Sequence, residues 1–495
     1  MTQRRISEEL LLRFSEYISL HMGLRFPRER HSDLMRGIGW ASREFGFDDD
    51  EDCVRWLMQA PLSKHQVEIL ASHLTIGETY FFRDPKMFET LERDVFPPLI
   101  RDRRGNGRHL RIWSAGCATG EEPYSVAILL SRLLPDMEEW NITILGTDIN
   151  PGFLRKAREG IYGDWSFRSV APRIRERYFT AVAPRRYRIV PSLQDCVTFS
   201  YLNLADDLYP SLLNRTNAMD LIFCRNVLMY FTQQQQADVV RKFHRCLVHR
   251  GILAASPTES SPSVFSPFSE MRLPGWVYYV KEGEDGRVRP APPSSRVSAP
   301  QMTISQQRPI VAPPGSAARK APEPAPPPPP SDLYRDAEEA YRSGRYGDAE
   351  EMLKELMVRD ARSSVIELMA RVQANLGRLQ RARELCEQAI SGDKLNAGLY
   401  VLLATILQEM DLAEEEDLAL KRALYLDHDL IVAHFARGNL ALRRTARREA
   451  DRHFGYALLV LERMGRDDVV PLTEGITAGR MREMITTAMT GRTAV

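Results

Sequence analysis

The sequence predicts three folded parts in one chain: an N-terminal all-α domain, an α/β domain with a Rossmann-like sheet, and a C-terminal all-α solenoid. Apolar residues recur at helical spacing within the first 75 residues. Short apolar strands then alternate with helices over residues 76–283, which predicts a parallel sheet with helices on both faces. After residue 331, small residues return every 33 to 34 positions, which indicates stacked pairs of helices.

The composition limits the compartment and the partners. The 67 lysines and arginines nearly balance the 66 acidic residues, so no overall field favours nucleic acid. The six cysteines form no Cys-x-x-Cys pair, and no stretch approaches the roughly 18 apolar residues that a membrane span needs. His65 and His73 lack a third ligand, so no metal is expected. We therefore expect a cytoplasmic protein without disulfides or membrane insertion.

The first domain, residues 1–75, is predicted to be helical because Leu10, Phe14 and Ile18 share a helical face. It also carries a basic patch formed by Arg25, Arg28, Arg30 and Arg36. Such a patch is suited to docking an acidic helical surface, although an ordinary solvated helix face has the same composition.

The second domain, residues 76–283, is predicted to hold the sheet. Its expected strands and helices cover residues 110–114, 121–134, 142–147, 220–224, 233–247 and 251–255. Residues 163–198 form an insertion, in which short apolar stretches at 187–190 and 197–199 predict a small antiparallel sheet.

The rest of the chain is predicted to be a linker, a set of repeats and a tail. Residues 284–331 are rich in proline, alanine and serine, a composition typical of a semi-rigid spacer. Within residues 332–463, Ala349, Ala382 and Ala450 occupy equivalent places, whereas Glu416 replaces the expected alanine. The period resembles that of tetratricopeptide repeats, about four units that bind partners, with a plain helical bundle as the alternative. Residues 464–495 are taken as a C-terminal tail.

A small-residue turn follows the first predicted strand, in residues 113–125 (WSAGCATGEEPYS). Its glycines, including Gly116, allow a ligand to approach the backbone at the carboxyl end of a strand. The next strand ends at Asp148, where a carboxylate can accept hydrogen bonds from both ribose hydroxyls. This pattern fits a nucleoside-containing cofactor. Taken alone, it fits an NAD dehydrogenase equally well, and Asp148 could instead cap the following helix.

Segments around this turn resemble one family closely. They are residues 74–84 (LTIGETYFFRD), 113–125, 146–150 (GTDIN), 157–162 (AREGIY), 199–204 (FSYLNL) and 220–231 (DLIFCRNVLMYF). In this order they resemble the CheR-type chemotaxis receptor methyltransferases, a class I methyltransferase fold. The resemblance implies S-adenosylmethionine as methyl donor, S-adenosylhomocysteine as product, and glutamate carboxylates of chemoreceptor cytoplasmic domains as substrates.

The resemblance also implies roles for individual residues. The cofactor would be bound by Gly77, Thr79, Arg83, Gly116, Glu122, Asp148, Asn203, Leu204, Arg225 and Asn226, and Arg83 and Tyr230 would face the transferring methyl group. The family often has asparagine at the position of Gly77, so one polar contact is absent or comes from the backbone. In the family the small β-subdomain can capture a tethering peptide, helped by a glycine-containing loop. The loop here, residues 181–187 (AVAPRRY), has no glycine, so we expect no dependence on a tether.

The predicted chemistry needs little from the protein. A glutamate with an ordinary pKa of about 4.3 is ionised near neutrality, so no general base is required and catalysis is largely positioning. Two alternatives stay open. One is a scaffold that binds the cofactor without turnover and acts through its repeats, and the other is a methyltransferase acting on nitrogen or RNA. The repeats are expected to bind a protein partner and to bring the enzyme to receptor clusters.

Overall fold

The computed structural model describes residues 6–105, 107–273, 276–282, 330–359, 361–473 and 475–490. Residues 284–329 of the predicted linker lie outside this range. Within it, no helix combines the length and apolarity that crossing a membrane requires.

The N-terminal domain is a group of four helices, as predicted. They are α1 (Glu8–Met22), α2 (His31–Glu44), α3 (Asp50–Leu57) and α4 (Lys64–Leu74). The Ser7 side chain caps α1, and Ser63 and Gln66 form a capping box that starts α4. Helix α1 ends at Gly23, whose φ is +70° and where a Cβ atom would lie 2.1 Å from the Phe231 ring. Only glycine allows this close approach, which sets the end of α1 against the α/β domain.

The α/β domain contains a seven-stranded sheet and a three-stranded sheet. The strands are β1 (His109–Ala115), β2 (Asn141–Asp148), β3 (Ile161–Gly163), β4 (Phe179–Ala183), β5 (Arg186–Ile189), β6 (Val197–Tyr201), β7 (Met219–Cys224), β8 (Leu247–Ala255), β9 (Ser269–Leu273) and β10 (Trp276–Val280). The large sheet has the order β6-β2-β1-β7-β8-β10-β9. Its first five strands are parallel, but β10 runs antiparallel to β8 and β9, so the sheet is mixed rather than wholly parallel as predicted.

Helices cover both faces of the large sheet and extend into the insertion. They are α5 (Pro85–Thr90), α6 (Phe96–Gly105), α7 (Glu121–Leu133), α8 (Pro151–Glu159), α9 (Pro172–Tyr178), α10 (Pro191–Gln194) and α11 (Gln233–Cys246). Trp113 of β1 is fully buried, packs edge-on against Tyr209 and Phe243, and donates a hydrogen bond to Thr147 Oγ1 (2.9 Å). This tryptophan fixes the strand that leads into the WSAGCATGEEPYS turn.

The insertion forms the predicted antiparallel sheet, but with different strands. Strands β3, β5 and β4 pair in that order. The stretch at 197–199 was expected in this small sheet. It belongs instead to β6, which pairs in parallel with β2 of the large sheet. Val197 and Phe199 are buried on one face of β6, because this strand closes the edge of the main core.

The described residues of the C-terminal domain form four antiparallel helix pairs and one further helix. The pairs are α12 (Pro330–Arg342) with α13 (Tyr346–Arg359), α14 (Ser363–Asn375) with α15 (Leu379–Gly392), α16 (Ala397–Glu409) with α17 (Ala413–Leu426), and α18 (Ile431–Arg443) with α19 (Arg447–Leu461). Ala349, Ala382 and Ala450 are fully buried, as the period implies. Glu416, in the position of an expected alanine, is buried and forms an ion pair with Arg443. Helix α20 (Ala478–Thr490) lies in the predicted tail and packs on the repeats through buried Met481 and Ile485.

The repeats pack directly on the α/β domain. Leu212, in the segment between β6 and β7, is buried in the hydrophobic cluster of the repeats. Glu409, at the end of α16, forms ion pairs with Arg111 of β1 and with Arg215 (3.4 Å), and its backbone carbonyl accepts a hydrogen bond from Asn141 Nδ2 (2.8 Å). Arg111 and Asn141 lie in the amino-terminal halves of β1 and β2. The repeats therefore cover the edge of the sheet opposite the WSAGCATGEEPYS turn.

Candidate active site

A cleft lies at the carboxyl ends of the parallel strands, between the sheet and the N-terminal helices. This edge is where open α/β sheets bind ligands. Twelve of the residues predicted from the sequence line it: Arg25, Arg30, Thr79, Arg83, Gly116, Glu122, Asp148, Asn203, Leu204, Arg225, Asn226 and Tyr230. The fold thus brings together residues from both the N-terminal domain and the α/β domain.

Three predicted residues do not line the cleft. Gly77 lies behind Phe153, where a Cβ atom would come 2.6 Å from that ring. Phe153 itself lines the cleft, so Gly77 bears on the site through this ring. The side chain of Arg36 is 65% exposed and pairs with Asp33, and Arg28 likewise lies outside the lining of the cleft.

Asp148 ends β2 with its carboxylate held by backbone groups. Its Oδ2 accepts a hydrogen bond from the Ala118 N–H (2.9 Å) and its Oδ1 accepts one from the Asn150 N–H (2.9 Å). Burial raises the pKa of Asp148 to about 6, against the opposing effect of these hydrogen bonds. The cap of α8 is Asn150, whose Oδ1 accepts from the Gly152 N–H (2.8 Å). Asp148 is therefore not the capping residue and presents its carboxylate to the cleft.

Glu122 and Arg225 form the charged centre of the cleft. Glu122 lies in the first turn of α7, accepts a hydrogen bond from Ser114 Oγ (2.8 Å) and pairs with Arg225 Nη1 (3.2 Å). Arg225 also pairs with Asp84 (3.4 Å) and donates to the Arg83 carbonyl (3.2 Å). Its Nε is buried without a hydrogen-bond partner among the described residues. This leaves a donor that suits a ligand carrying a carboxylate or other acceptor.

Glu259 holds the segment after β7 through hydrogen bonds from its backbone. The sequence patterns did not indicate this residue. Its carboxylate accepts hydrogen bonds from the backbone N–H groups of Asn226 (2.8 Å), Met229 (3.1 Å) and Ser256 (3.1 Å). Burial raises the pKa of Glu259, whereas these bonds favour its ionised form. Glu259 follows Ser256 by three residues, which is the spacing of a capping box. This spacing is the one sequence feature that could have indicated a structural role for Glu259.

Some of the residues with strained backbone lie in or next to the cleft. Phe82, Asp84, Ala118 and Asn226 all have positive φ values, between 45° and 70°. Side chains other than glycine adopt this conformation at a cost of about 1 to 3 kcal/mol each, and such residues cluster where a binding site demands a particular backbone path. Gly116 has φ +79°, and a Cβ atom there would lie 2.4 Å from Val227.

The N-terminal helices contribute the outer wall of the cleft. The Arg30 guanidinium lies over the Tyr230 ring, 5.5 Å from its centroid, and over the Phe26 ring at 5.1 Å. The Arg25 N–H donates to the Tyr230 carbonyl (2.7 Å). Met22 and Phe26 add apolar lining that sequence spacing could not assign, because only the tertiary fold brings α1 to the sheet.

The residues present fit S-adenosylmethionine. The Asp148 carboxylate suits the hydroxyls of a ribose, and the Glu122–Arg225 pair suits the charged groups of an amino acid. Ile149 and Leu202 supply apolar surface that suits an adenine base. Together with the Rossmann-like sheet, these features define a nucleotide-cofactor enzyme of the class I methyltransferase type.

Sequence comparison gives the family. Residues 77–274 match the family described as CheR methyltransferase, SAM binding domain. The chain is 32% identical over 219 residues to chemotaxis protein methyltransferase 2 of Vibrio cholerae, covering 44% of this chain and 74% of that protein. It is 30% identical over 273 residues to the chemotaxis protein methyltransferase of Salmonella typhimurium, covering 54% and 90%. The chain belongs to the CheR chemotaxis methyltransferase family, and its cofactor is S-adenosylmethionine.

Three further likenesses concern parts of the chain. The probable biofilm formation methyltransferase WspC of Pseudomonas aeruginosa is 32% identical over 249 residues, covering 50% of this chain and 56% of that protein. The crystal structure of MamA is 21% identical, with a TM-score of 0.26, and covers 27% of this chain and 78% of that chain. Magnesium protoporphyrin IX methyltransferase from Synechocystis, with bound SAM, is 14% identical with a TM-score of 0.22, covering 49% and 94%. At these TM-scores neither solved structure bears on function.

Proposed function

We propose that this protein transfers the methyl group of S-adenosylmethionine to glutamate side chains in the cytoplasmic domains of chemoreceptors, forming glutamyl methyl esters. The observation that carries the proposal is the set of four arginines in the cleft lining, Arg25, Arg30, Arg83 and Arg225, around Tyr230. The same lining holds three acids, Glu78, Glu122 and Asp148, and Arg225 pairs with Glu122, so a carboxylate substrate would be oriented by hydrogen bonds from individual arginines rather than by a net positive surface.

The lining of the cleft also suits a nucleophile that is already ionised. No histidine or lysine is present among its described lining residues, and its carboxylates are already engaged: Glu78 pairs with Arg168, Glu122 with Arg225, and Asp148 accepts backbone N–H groups. Burial raises the pKa of Cys117 well above its usual value, so this thiol stays protonated near neutrality. When bound, S-adenosylmethionine supplies an activated sulfonium methyl group. The residues of the chain then act by holding the glutamate carboxylate in line with the methyl group and the sulfur. In the proposed arrangement, Arg83 and Tyr230 lie nearest to the methyl group.

The proposal includes independence from a receptor tether. Strand β4 is an edge strand whose last four residues are exposed, and an edge strand can accept an added peptide strand. The β4–β5 turn is nevertheless tight and glycine-free, with Arg185 pairing with Asp164. We expect receptor fragments with and without their C-terminal residues to be methylated at equal rates, and a large loss without those residues would contradict this part.

The repeats and the basic patch are assigned to partner recognition within this proposal. The repeats would bind a protein partner that brings the enzyme to receptor clusters in the cytoplasm. Arg25, Arg28, Arg30 and Arg36 would face the acidic receptor helix. Equal substrate choice in wild type and in a variant with charge-reversed Arg28 and Arg36 would contradict the docking role.

The decisive experiment uses the full chain with radiolabelled S-adenosylmethionine and receptor cytoplasmic fragments, followed by base. Carboxyl esters release volatile methanol, whereas methyl groups on nitrogen are retained. Base-stable label would contradict the proposed chemistry. Cofactor binding without any incorporation would favour the second candidate, a cofactor-binding scaffold that acts through its repeats. The extensive contact between repeats and catalytic domain is the observation that favours this candidate.

A further inference from the structure

The last helix that the structure describes, α20, contacts both other domains. The Arg480 guanidinium lies over the ring of Tyr201 at the end of β6, 4.9 Å from its centroid. Lys64 of α4 lies over the same ring at 5.2 Å and donates a hydrogen bond to the Glu483 carbonyl (3.3 Å). The Tyr201 ring is thus in contact with one cation from the N-terminal domain and one from the end of the repeat domain.

Tyr201 begins the segment that forms one wall of the cleft. Leu202, Asn203 and Leu204 line the cleft directly. Asn203 Nδ2 donates to the His21 carbonyl (2.9 Å) and to Asp206 Oδ1 (2.9 Å). The position of Asn203 therefore depends on Asp206.

Two cations favour the ionised form of Asp206. Burial raises the pKa of this carboxyl group, and the positive charges of Arg480 and then Lys242 oppose that rise. Lys242 Nζ also donates to the carbonyls of Leu204 (3.1 Å) and Asp206 (2.7 Å), so α11 holds the segment on one side. The Arg480 side chain, only 15% exposed and paired with Glu483 (3.1 Å), acts on the same segment from α20.

We propose that Arg480 is a positioning residue for the methyl donor, acting through Tyr201 and Asp206 on Asn203 and Leu204. This rests on the proposed placement of the donor against Asn203 and Leu204. Because α20 contacts the start of this segment through Arg480 and Tyr201, donor binding and docking of the repeat domain would favour each other. Linkage requires the coupling to be equal in both directions.

The test is donor affinity in the full-length protein. Arg480→Gln should weaken binding of S-adenosylmethionine about fivefold in calorimetry, the lower range of coupling between linked sites, with kcat at saturating donor unchanged. Arg480→Lys should retain most of the affinity because the charge remains. The matched control is Arg452→Gln on α19, whose side chain is 72% exposed, and which should bind as wild type does. Unchanged affinity in folded Arg480→Gln would overturn the proposal.

A second variant keeps the test decisive if Arg480→Gln does not fold. Asp206→Asn should weaken donor binding as well, and in a folded double variant the two losses should be less than additive. In the wild type, the donor should slow amide hydrogen exchange in residues 478–490. Fully additive losses, or no donor effect on exchange there, would overturn the role of Arg480. Neither result decides whether the protein forms methyl esters on receptor fragments, so the proposed function is tested separately.

Discussion

At the scale of single residues, the cleft is defined by charged groups whose partners can be named. Asp148, Glu122 and Arg225 are each held by contacts within the protein before any ligand binds. Preorganisation of this kind lowers the cost of ordering side chains on binding. The end of a predicted strand indicated Asp148 from the sequence, whereas Glu122 and Arg225 were predicted from the family resemblance. The sequence did not reveal Glu259, whose role depends on backbone N–H groups that only the folded loop brings together.

The raised pKa of Asp148 predicts a pH-dependent affinity for the donor. If the ionised carboxylate accepts hydrogen bonds from the ribose, affinity rises with pH through about 6. Binding at pH 5 should be about tenfold weaker than at pH 8, as expected for a single titrating group. Calorimetry over this range measures the profile, and Asp148→Asn should bind weakly with little dependence on pH. A sloping profile in Asp148→Asn would assign the effect to another group.

The same pKa shift has a consequence for folding. Because burial raises the pKa of Asp148 from 3.8 to about 6, the protonated form is favoured in the folded state. Its contribution to the free energy of unfolding is therefore present below pH 4 and is lost as pH rises through about 6.

Tyr230 is predicted to act after the donor has bound. Tyr230→Phe removes only the hydroxyl, so donor affinity should be unchanged while kcat falls about tenfold to a hundredfold through poorer orientation. Initial rates of ester formation at saturating donor measure this. Tyr80→Phe serves as the control, since Tyr80 does not line the cleft. Equal kcat in Tyr230→Phe and wild type would remove Tyr230 from the reacting centre.

At the scale of elements, the turn between β1 and α7 shows what the sequence could and could not predict. Its small residues predicted a close ligand, but the structure shows that Gly116 is also required by packing against Val227. Strand β6 was assigned to the wrong sheet because a short apolar run carries no information on its partner strand. The antiparallel β9–β10 pair was missed for the same reason.

Gly116→Ala is predicted to distort this turn. The residue has φ +79°, and its Cβ atom would meet Val227 at 2.4 Å, so both backbone and packing oppose the change. Stability should fall by about 1 to 3 kcal/mol, together with donor affinity. Adding Val227→Ala should recover only the part due to the clash. Urea unfolding of both variants provides the comparison, and full recovery in the double variant would show that φ imposes no cost.

At the scale of the whole molecule, the catalytic domain and the repeats form one packed body around Glu409. Glu409 and Arg111 have side chains only 1% exposed. The repeats were predicted from their period, but Glu409 itself did not indicate this contact, because a lone acid at the end of a repeat helix is ordinary in composition. Helix α16, buried nearly all round, carried the weak signal of a helix without a polar face.

Glu409→Gln is predicted to destabilise the full chain by about 3 kcal/mol, because it leaves a buried arginine short of its counter-charge. Glu415→Gln is the matched control. Its carboxylate is 47% exposed and pairs with Arg383 at the surface, so its loss should cost no more than about 1 kcal/mol. Denaturant midpoints report both changes. Equal midpoints in the two variants would show that the Glu409 contacts contribute little.

The Glu409 contacts also bear on how the protein is made. Asn141 and the Glu409 carbonyl that it binds are 268 residues apart along the chain. During synthesis the strands of the catalytic sheet leave the ribosome long before α16 exists, with Arg111 still lacking its acid. In a nascent or prematurely terminated chain that stops in the proline-rich segment, the sheet edge that the repeats would cover therefore stays exposed to solvent. Leu212, which packs against the repeats, is exposed as well. We expect such chains to be prone to aggregation and proteolysis until the third repeat has been made and covers these groups.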